Sequence, residues 1–310
     1  MSRTVALTGA TGFIGGTLAR RLGEAGWRIR AQFRSTSARK RPTVTAVRWI
    51  EGDLENLESL RRLVNGSNAV VHCAGAVRGA SEVHFKRVNV NGVARLVQAA
   101  TEQHPVPRFL LISSLAAREP QLSPYAASKR QGEDALAATA GKMGWTALRP
   151  PAVYGPGDRE LLPLFRWIAR GLAPVLGPES ARFSLLYVED LAEAVVRWLE
   201  GGKDQQRAFE LHDGHPNGYT HNEVINTVEA LRAKRAIRVQ VPGPLFRLAA
   251  ALNLRAARII GYTPMLTPWK IRELNHPNWV CDNKPLNRAI GWAPRVTLEE
   301  GLRRTLHEMA

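Results

Sequence analysis

Thr8-Gly9-Ala10-Thr11-Gly12-Phe13-Ile14-Gly15 is the stretch on which the reading of this chain turns. A short aliphatic run, Thr4–Thr8, leads into it, and an amphipathic run, Phe13–Ala25, leaves it. Three glycines therefore sit where a strand becomes a helix. Gly9 permits the tight turn. Gly12 lets an anion approach the backbone N–H groups at the helix N-terminus. Gly15 lets helix and strand pack closely. A glycine triplet alone is a weak signal, but between a strand and a helix it marks a pyrophosphate-binding turn.

The same alternation continues outward. Further strands are expected at Arg28–Phe33, Val47–Glu51, Ala69–Cys73, Arg108–Ser113, Thr146–Leu148 and Arg182–Tyr187. Helical patterns fall at Leu57–Val64, Val83–Gln103, Tyr125–Ala140, Glu160–Arg170 and Val188–Glu200. Such β and α units predict an α/β Rossmann fold, a doubly wound parallel sheet whose strand C-terminal ends share one ligand-binding edge. From about Gly155 the pattern becomes irregular. Short strands are expected at Arg207–Leu211, Ile237–Val241 and Trp279–Cys281, and helices at Thr220–Arg232, Leu245–Ile260 and Leu298–Glu308. The expected division is a dinucleotide-binding domain of residues 1–154 plus about 182–205. A smaller, irregular α/β substrate lobe of about 155–181 and 206–310 is interleaved with it.

Composition sets the bounds. With 310 residues, 45% of them hydrophobic, the chain can build a large core and is not disordered. Lys and Arg number 43 against 27 Asp and Glu, a net charge of +16 that asks for a negative partner. Residues 1–50 hold ten Lys or Arg and one acid, Glu24. Neither a signal peptide nor an 18-residue apolar span is visible, so a cytoplasmic location is expected. Cys73 and Cys281 read as reduced core thiols.

The second strand bears on the cofactor. A carboxylate there would hold the ribose 2′-hydroxyl of NAD, but the strand ends Ala31-Gln32-Phe33-Arg34 and runs on into Ser35-Thr36-Ser37-Ala38-Arg39-Lys40-Arg41. Cations and hydroxyls suit a 2′-phosphate, so NADP(H) is expected in preference to NAD(H), with Arg34 its main 2′-phosphate ligand. Further along, Tyr125 and Lys129 stand four apart on one helix face, and Ser114 follows a strand at the ligand edge. A phenol is a poor acid or base at neutral pH. A neighbouring ammonium and a positive nicotinamide would favour its phenolate, while Ser114 could bond a substrate oxygen.

With these motifs in place the chain resembles the extended short-chain dehydrogenase/reductases over nearly its whole length. The likeness takes in the glycine turn, Gly52-Asp53-Leu54, His72-Cys73-Ala74-Gly75 and Val88-Asn89-Val90-Asn91-Gly92. It also takes in the Ser114, Tyr125 and Lys129 set, and the run Leu148-Arg149-Pro150-Pro151-Ala152-Val153-Tyr154-Gly155-Pro156-Gly157-Asp158. Tyr187-Val188-Glu189-Asp190-Leu191 and Gly291-Trp292-Ala293-Pro294 complete it. The resemblance implies that Tyr125 is the general acid/base. Lys129 would lower its pKa and hold the nicotinamide ribose, and Ser114, rather than Ser113, would orient the substrate oxygen. It further implies a cofactor bed of Gly9, Thr11, Gly12, Phe13, Ile14, Gly15, Arg34, Asp53, Leu54, Cys73, Ala74, Gly75, Asn89, Tyr125, Lys129, Pro150 and Val153. Asp53 would meet the adenine, and Asn89 is equally readable as a structural side chain.

Within that family, 4,6-dehydratases carry an Asp-Glu pair after the active-site hydroxyl residue, and here Ser114 is followed by Leu115-Ala116-Ala117. Pro151-Ala152 stands where many epimerases have a substrate-binding Asn. The motifs resemble the 3β-hydroxysteroid dehydrogenase and dihydroflavonol reductase branches, which implies reversible hydride transfer between a secondary alcohol and a ketone or aldehyde. A nucleotide-sugar epimerase and a non-catalytic NADP-binding accessory protein are the alternatives. The expected partner is a small molecule, with a hydrophobic one admitted. A homodimer is compatible with the reading. The scattered tryptophans argue against nucleic acid. His212 and His215 lie in a loop without cysteine partners, with His221 nearby, so no metal is expected. Residues 230–272 hold nine Lys or Arg and no acid. There Leu245, Leu248, Ala249, Leu252 and Ile259 share one helix face, and Arg247, Arg255 and Arg258 another. Packing of the apolar face inside the lobe is favoured over contact with a membrane.

Overall fold

The computed structural model describes residues 3–175, 177–201, 206–240 and 242–307. Val241 and Glu308, the ends of two expected elements, lie outside them. The chain begins β1 (Thr4–Thr8), α1 (Phe13–Glu24), β2 (Arg28–Phe33), β3 (Val47–Glu51), α2 (Leu57–Val64) and β4 (Ala69–His72). A continuous helical stretch follows: α3 (Glu82–Lys86), a wider π turn at Arg87–Asn91, then α4 (Gly92–Thr101). Next come β5 (Arg108–Ile112), α5 (Pro124–Thr139), β6 (Trp145–Arg149) and β7 (Ala152–Tyr154). The remainder is α6 (Leu162–Arg170), β8 (Leu172–Val175), β9 (Arg182–Phe183), β10 (Leu185–Tyr187), α7 (Val188–Gly201), β11 (Arg207–Glu210), α8 (His221–Arg232), β12 (Ile237–Gln240), α9 (Gly243–Ile260), α10 (Pro268–Leu274), β13 (Asn278–Trp279), α11 (Lys284–Ile290) and α12 (Leu298–His307).

Seven strands form one sheet in the order β11-β6-β5-β4-β1-β2-β3, every pair parallel. Alternation along each strand builds a core on both faces. Val5, Leu7, Val71 and Leu110 face one way, onto Leu18 and Leu22 of α1 and Leu191, Val195 and Trp198 of α7. Ala6, Val70, Phe109 and Leu111 face the other, onto Leu63 of α2, Leu96 of α4 and Leu136 of α5. A third cluster fills the lobe, with Tyr154, Phe165, Val228 and Leu302 at its centre. The doubly wound architecture is the one expected.

Two strand assignments are corrected. Arg182–Tyr187 is not a strand of the large sheet. It breaks at the buried Ser184, whose N–H donates to Trp279 O at 3.0 Å. Arg182–Phe183 then pairs with β13 and Leu185–Tyr187 with β7. The seventh strand is instead β11, expected in the lobe, which runs in register with β6 from Arg207–Thr146 to Glu210–Arg149. Local alternation showed that a strand preceded α7 but not which neighbour it would pair with.

α9 is the second departure. Its buried residues are Ala250, Leu254 and Ala257, and the apolar face expected to pack inside the lobe is in solvent. The small side chains let the helix sit close to its support. Asn253 Nδ2 ties it down by donating to Leu266 O at 2.7 Å. Among the described residues no helix is long and apolar enough to cross a membrane.

Candidate active site

The glycine turn lies at the C-terminal edge of β1, beside β4. Gly9 has φ +75°, and a Cβ there would stand 2.7 Å from Ala74 N, so only glycine fits between the turn and the 73–76 loop. Gly12 N–H donates back to Gly9 O at 2.9 Å and closes the turn. Gly12 is also the N-cap of α1. No side chain caps that end and no acid occupies its first turn, so its N–H groups and positive dipole end are open to an anion. Thr8 secures the cradle from below. Its Oγ1 accepts from Ala74 N at 3.2 Å and lies 2.7 Å from His72 Nδ1. Burial, with positive Lys129 nearby, pushes His72 down to about 3, so the ring is neutral.

Three side chains converge at the same edge. α5 begins at the Ser123 cap, whose Oγ accepts from Ala126 N at 2.9 Å, and it carries Tyr125 and Lys129 on one face. Ser114 lies just beyond β5, where its hydroxyl favours the Tyr125 phenolate, and its Oγ accepts from Ala116 N at 3.2 Å. Ser113 points elsewhere: it is buried and donates to Glu133 Oε1 at 2.5 Å, a carboxylate also held by Arg149. Lys129 Nζ donates to Ile112 O at 3.1 Å. A Cβ on Gly75 would come within 3.2 Å of Lys129 Nζ and 3.3 Å of Asn89 Oδ1, which places the 73–76 loop, Lys129 and Asn89 together.

Asn89 sits on the π turn, a wider turn often found at functional sites. Its Oδ1 accepts from Ala76 N at 2.8 Å. Its Nδ2 donates to Ala76 O at 3.0 Å and to Ser128 Oγ at 2.9 Å. Asn89 thus clamps the loop after β4 to α5. Gly132 makes room for it, since a Cβ there would meet Asn89 O at 2.3 Å.

Burial pushes the Tyr125 phenol up to about 12. The Ser114 hydroxyl pulls it down, and the charges of Glu273 and Glu160 push it further up. The ammonium effect expected from Lys129 is not among these causes. The protein alone therefore keeps Tyr125 protonated, ready to donate. Lys129 is lowered from 10.5 to about 8 by burial, which the charge of Glu133 partly opposes. A lysine whose pKa is lower in the folded state holds fewer protons there. Its burial penalty is fully present below pH 8 and fades as pH rises towards 10.5. Lys129→Met is accordingly expected to be more stable than the parent by about 2–3 kcal/mol below pH 8, the difference closing above pH 10. Urea titrations across that range measure it, and a gap independent of pH would refute it.

The remaining expected residues lie around the turn. Arg34 is exposed at the end of β2 and in no ion pair among the described residues. Its backbone is fixed by Ser37 Oγ, which accepts from Arg34 N at 3.2 Å and donates to Arg34 O at 2.9 Å. Asp53 Oδ1 accepts from Glu55 N at 2.9 Å, shaping the loop after β3. Leu54, Thr11, Phe13, Ile14, Cys73 and Val153 are half-buried along this edge, and Pro150 is buried. Burial holds the Cys73 thiol up near 12, protonated and unreactive. Of the histidines set aside, His212 Nδ1 accepts from Gly214 N at 3.1 Å, and His215 stacks on Tyr219 with ring centroids 4.4 Å apart.

Two acids escaped the sequence reading. Glu51 takes a 2.5 Å bond from Ser35 Oγ beside Arg34. Glu273, buried on α10, accepts from Ser123 Oγ and from Lys270 Nζ, the latter at 2.9 Å. Together with Tyr125, Phe85, Gly79, Met265 and Trp269 it lines a cleft between the sheet edge and the lobe. Nothing in the local sequence links Glu273 to Tyr125, 148 positions away. Two motif segments prove to hold each other: Asp190 accepts from Arg295 N and Val296 N, both at 3.0 Å, and Trp292 Nε1 donates to Asp190 O.

A model of the NAD dependent epimerase/dehydratase family matches residues 5–211, and the chain belongs to that family. It is similar to a ceramide reductase of Caulobacter vibrioides, 36% identical over 92% of this chain and 88% of the relative. It is also similar to a 2-alkyl-3-oxoalkanoate reductase of Stenotrophomonas maltophilia, 30% identical over 97% of each. Among solved structures, UDP-glucose 4-epimerase from Thermotoga maritima aligns with a TM-score of 0.78 at 20% identity, over 98% of this chain and 97% of that one. That last likeness concerns the fold. The protein is an NAD(P)-dependent reductase or epimerase of this family.

The residues present fit a nicotinamide dinucleotide. At Gly9 and Gly15 the turn packs directly on its own backbone and the 73–76 loop, and the α1 N-terminus it presents has no capping side chain and no acid in its first turn.

Proposed function

We propose that the protein is an NADP(H)-dependent oxidoreductase that interconverts a ketone on a lipophilic substrate and the corresponding secondary alcohol. The observation that carries this reading is Tyr125, buried and kept protonated in the cleft, with Ser114 at the same strand edge and Lys129 one turn further along α5. The α1 N-terminus and the glycine turn would hold the pyrophosphate, and Lys129 and Asn89 would face the nicotinamide ribose. When bound, the cofactor supplies a hydride to the carbonyl carbon. Ser114 orients the carbonyl oxygen, and Tyr125 gives it the proton that completes the alcohol. The phenolate left behind is reprotonated from solvent. A lipophilic substrate is supported by the apolar cleft wall of Phe85, Met265 and Trp269. The names of the ceramide and 2-alkyl-3-oxoalkanoate reductases point the same way.

A panel of long-chain 3-oxo compounds and UDP-sugars tests the reaction class, with NADPH absorbance and product chromatography as readouts. NADPH consumption with the former is expected. Conversion of a UDP-sugar without net NADPH change would replace the reading with epimerisation. The choice of NADP(H) rests on exposed Arg34 and on the basic, hydroxyl-rich turn that follows. Arg34→Ala should weaken NADPH binding by roughly 10- to 100-fold, the worth of one hydrogen bond to a charged group, and leave NADH binding nearly unchanged. Equal loss for both cofactors in a fluorescence titration would remove Arg34 from 2′-phosphate recognition.

A further inference from the structure

We propose that the outer face of α9 docks on an anionic lipid surface. Leu245, Leu248 and Leu252 are 57–60% exposed, Ile259 84% and Ile260 75%. They lie on one side of a helix whose other side, Ala250, Leu254 and Ala257, is buried against the lobe. An 18-residue helix with that much aliphatic surface in water lacks a partner for it.

Charge says which partner. Arg247, Arg255 and Arg258 border the apolar strip, and among the described residues none of them is in an ion pair. The whole 230–272 segment contains no Asp or Glu. A second protein copy would set these arginines against one another, whereas anionic headgroups would neutralise them as the leucines enter the acyl boundary. The helix is half-embedded in the lobe by its small residues, so it can lie in a membrane plane without leaving the fold.

Position gives the surface a use. α9 runs directly into the 261–267 loop, whose Met265 lines the Tyr125 cleft. At its C-terminal end Arg258 Nε reaches Ala80 O at 3.5 Å, on the loop that supplies Gly79 and Val77 to the same cleft. Val77 and Val83 on either side of Ala80 are 49% and 76% exposed. The mouth of the cleft would then open at the lipid boundary. That consequence, delivery of a lipid-dissolved ketone, rests on the function proposed above. The docking itself does not.

The test is co-sedimentation of the full chain, without cofactor or substrate, so its outcome is separable from that of the catalytic reading. The protein should pellet with vesicles of equimolar phosphatidylglycerol and phosphatidylcholine at low salt, but not with phosphatidylcholine alone. Leu248→Asp combined with Leu252→Asp should lower the apparent affinity at least about tenfold. Arg247→Gln combined with Arg255→Gln should lower it about fivefold per arginine and weaken the salt dependence. All four positions are solvent-exposed, and unchanged circular dichroism and thermal midpoint will show that both variants fold. Absence of binding at low salt would overturn the proposal. So would binding indifferent to both variants, or a concentration-dependent dimer without lipid that the leucine variant abolishes.

Discussion

Tyr125→Phe is expected to lower turnover in ketone reduction by roughly 10²- to 10⁴-fold, the usual worth of a positioned general acid, with little change in KM or in thermal midpoint. The substitution removes one oxygen. The ring keeps its edge-to-face contact with Phe85, centroids 6.0 Å apart, and α5 keeps its Ser123 cap. The phenol sits near 12 because it is buried, so in the protein alone the donating form persists across the neutral range. Reduction should therefore show no acid limb from this group, while alcohol oxidation, which needs the phenolate, should climb as pH rises. Stopped-flow NADPH oxidation by parent and variant across pH measures all of these effects. Full activity in the phenylalanine variant would remove Tyr125 from the chemistry.

What could be read from the residues was what depends on short separations. Strands β1, β2 and β3 and helix α2 fall where the period of their apolar residues puts them, and the Tyr125–Lys129 pairing follows from the pitch of a helix. What could not be read depends on long separations or on choices between equal local patterns. Glu273 reaches Ser123 across 150 positions, and only the folded lobe brings them together. Arg207–Glu210 and Leu185–Tyr187 are both short strands, and the sheet took the former because it alone pairs with β6. α9 shows the limit most plainly. Its larger aliphatic side chains line one face, so periodicity alone assigned that face to the interior. The protein buried Ala250, Leu254 and Ala257 instead and left Leu245, Leu248 and Leu252 in solvent. An amphipathic pattern reports that two faces differ, not which one the rest of the chain will cover.

Gly15→Ala is expected to be the most disruptive single-methyl change in the protein, with Gly16→Ala as its neutral neighbour. A Cβ on Gly15 would stand 2.0 Å from Gly9 O, 2.5 Å from Gly9 C and 2.9 Å from Ala10 N. All three are backbone atoms of the turn, so no rotamer change relieves the clash. Either α1 moves off β1, opening the core at Leu18 and Leu22, or the turn itself deforms. The cost should reach or exceed the upper part of the ~1–3 kcal/mol range for overpacking, and it falls on the turn that would hold the pyrophosphate. At Gly16 the nearest atom to a Cβ is Ala10 O at 3.7 Å, an ordinary contact. There alanine gains helix propensity and should stabilise by up to about 1 kcal/mol. Thermal denaturation with and without NADPH separates the two consequences for Gly15→Ala. A lowered midpoint that NADPH no longer raises is the expected result, since a deformed turn loses the N–H groups aimed at the phosphates. A midpoint equal to that of Gly16→Ala would show that helix and turn are not held at this distance, and would remove the physical ground on which the glycine spacing was read as a dinucleotide site.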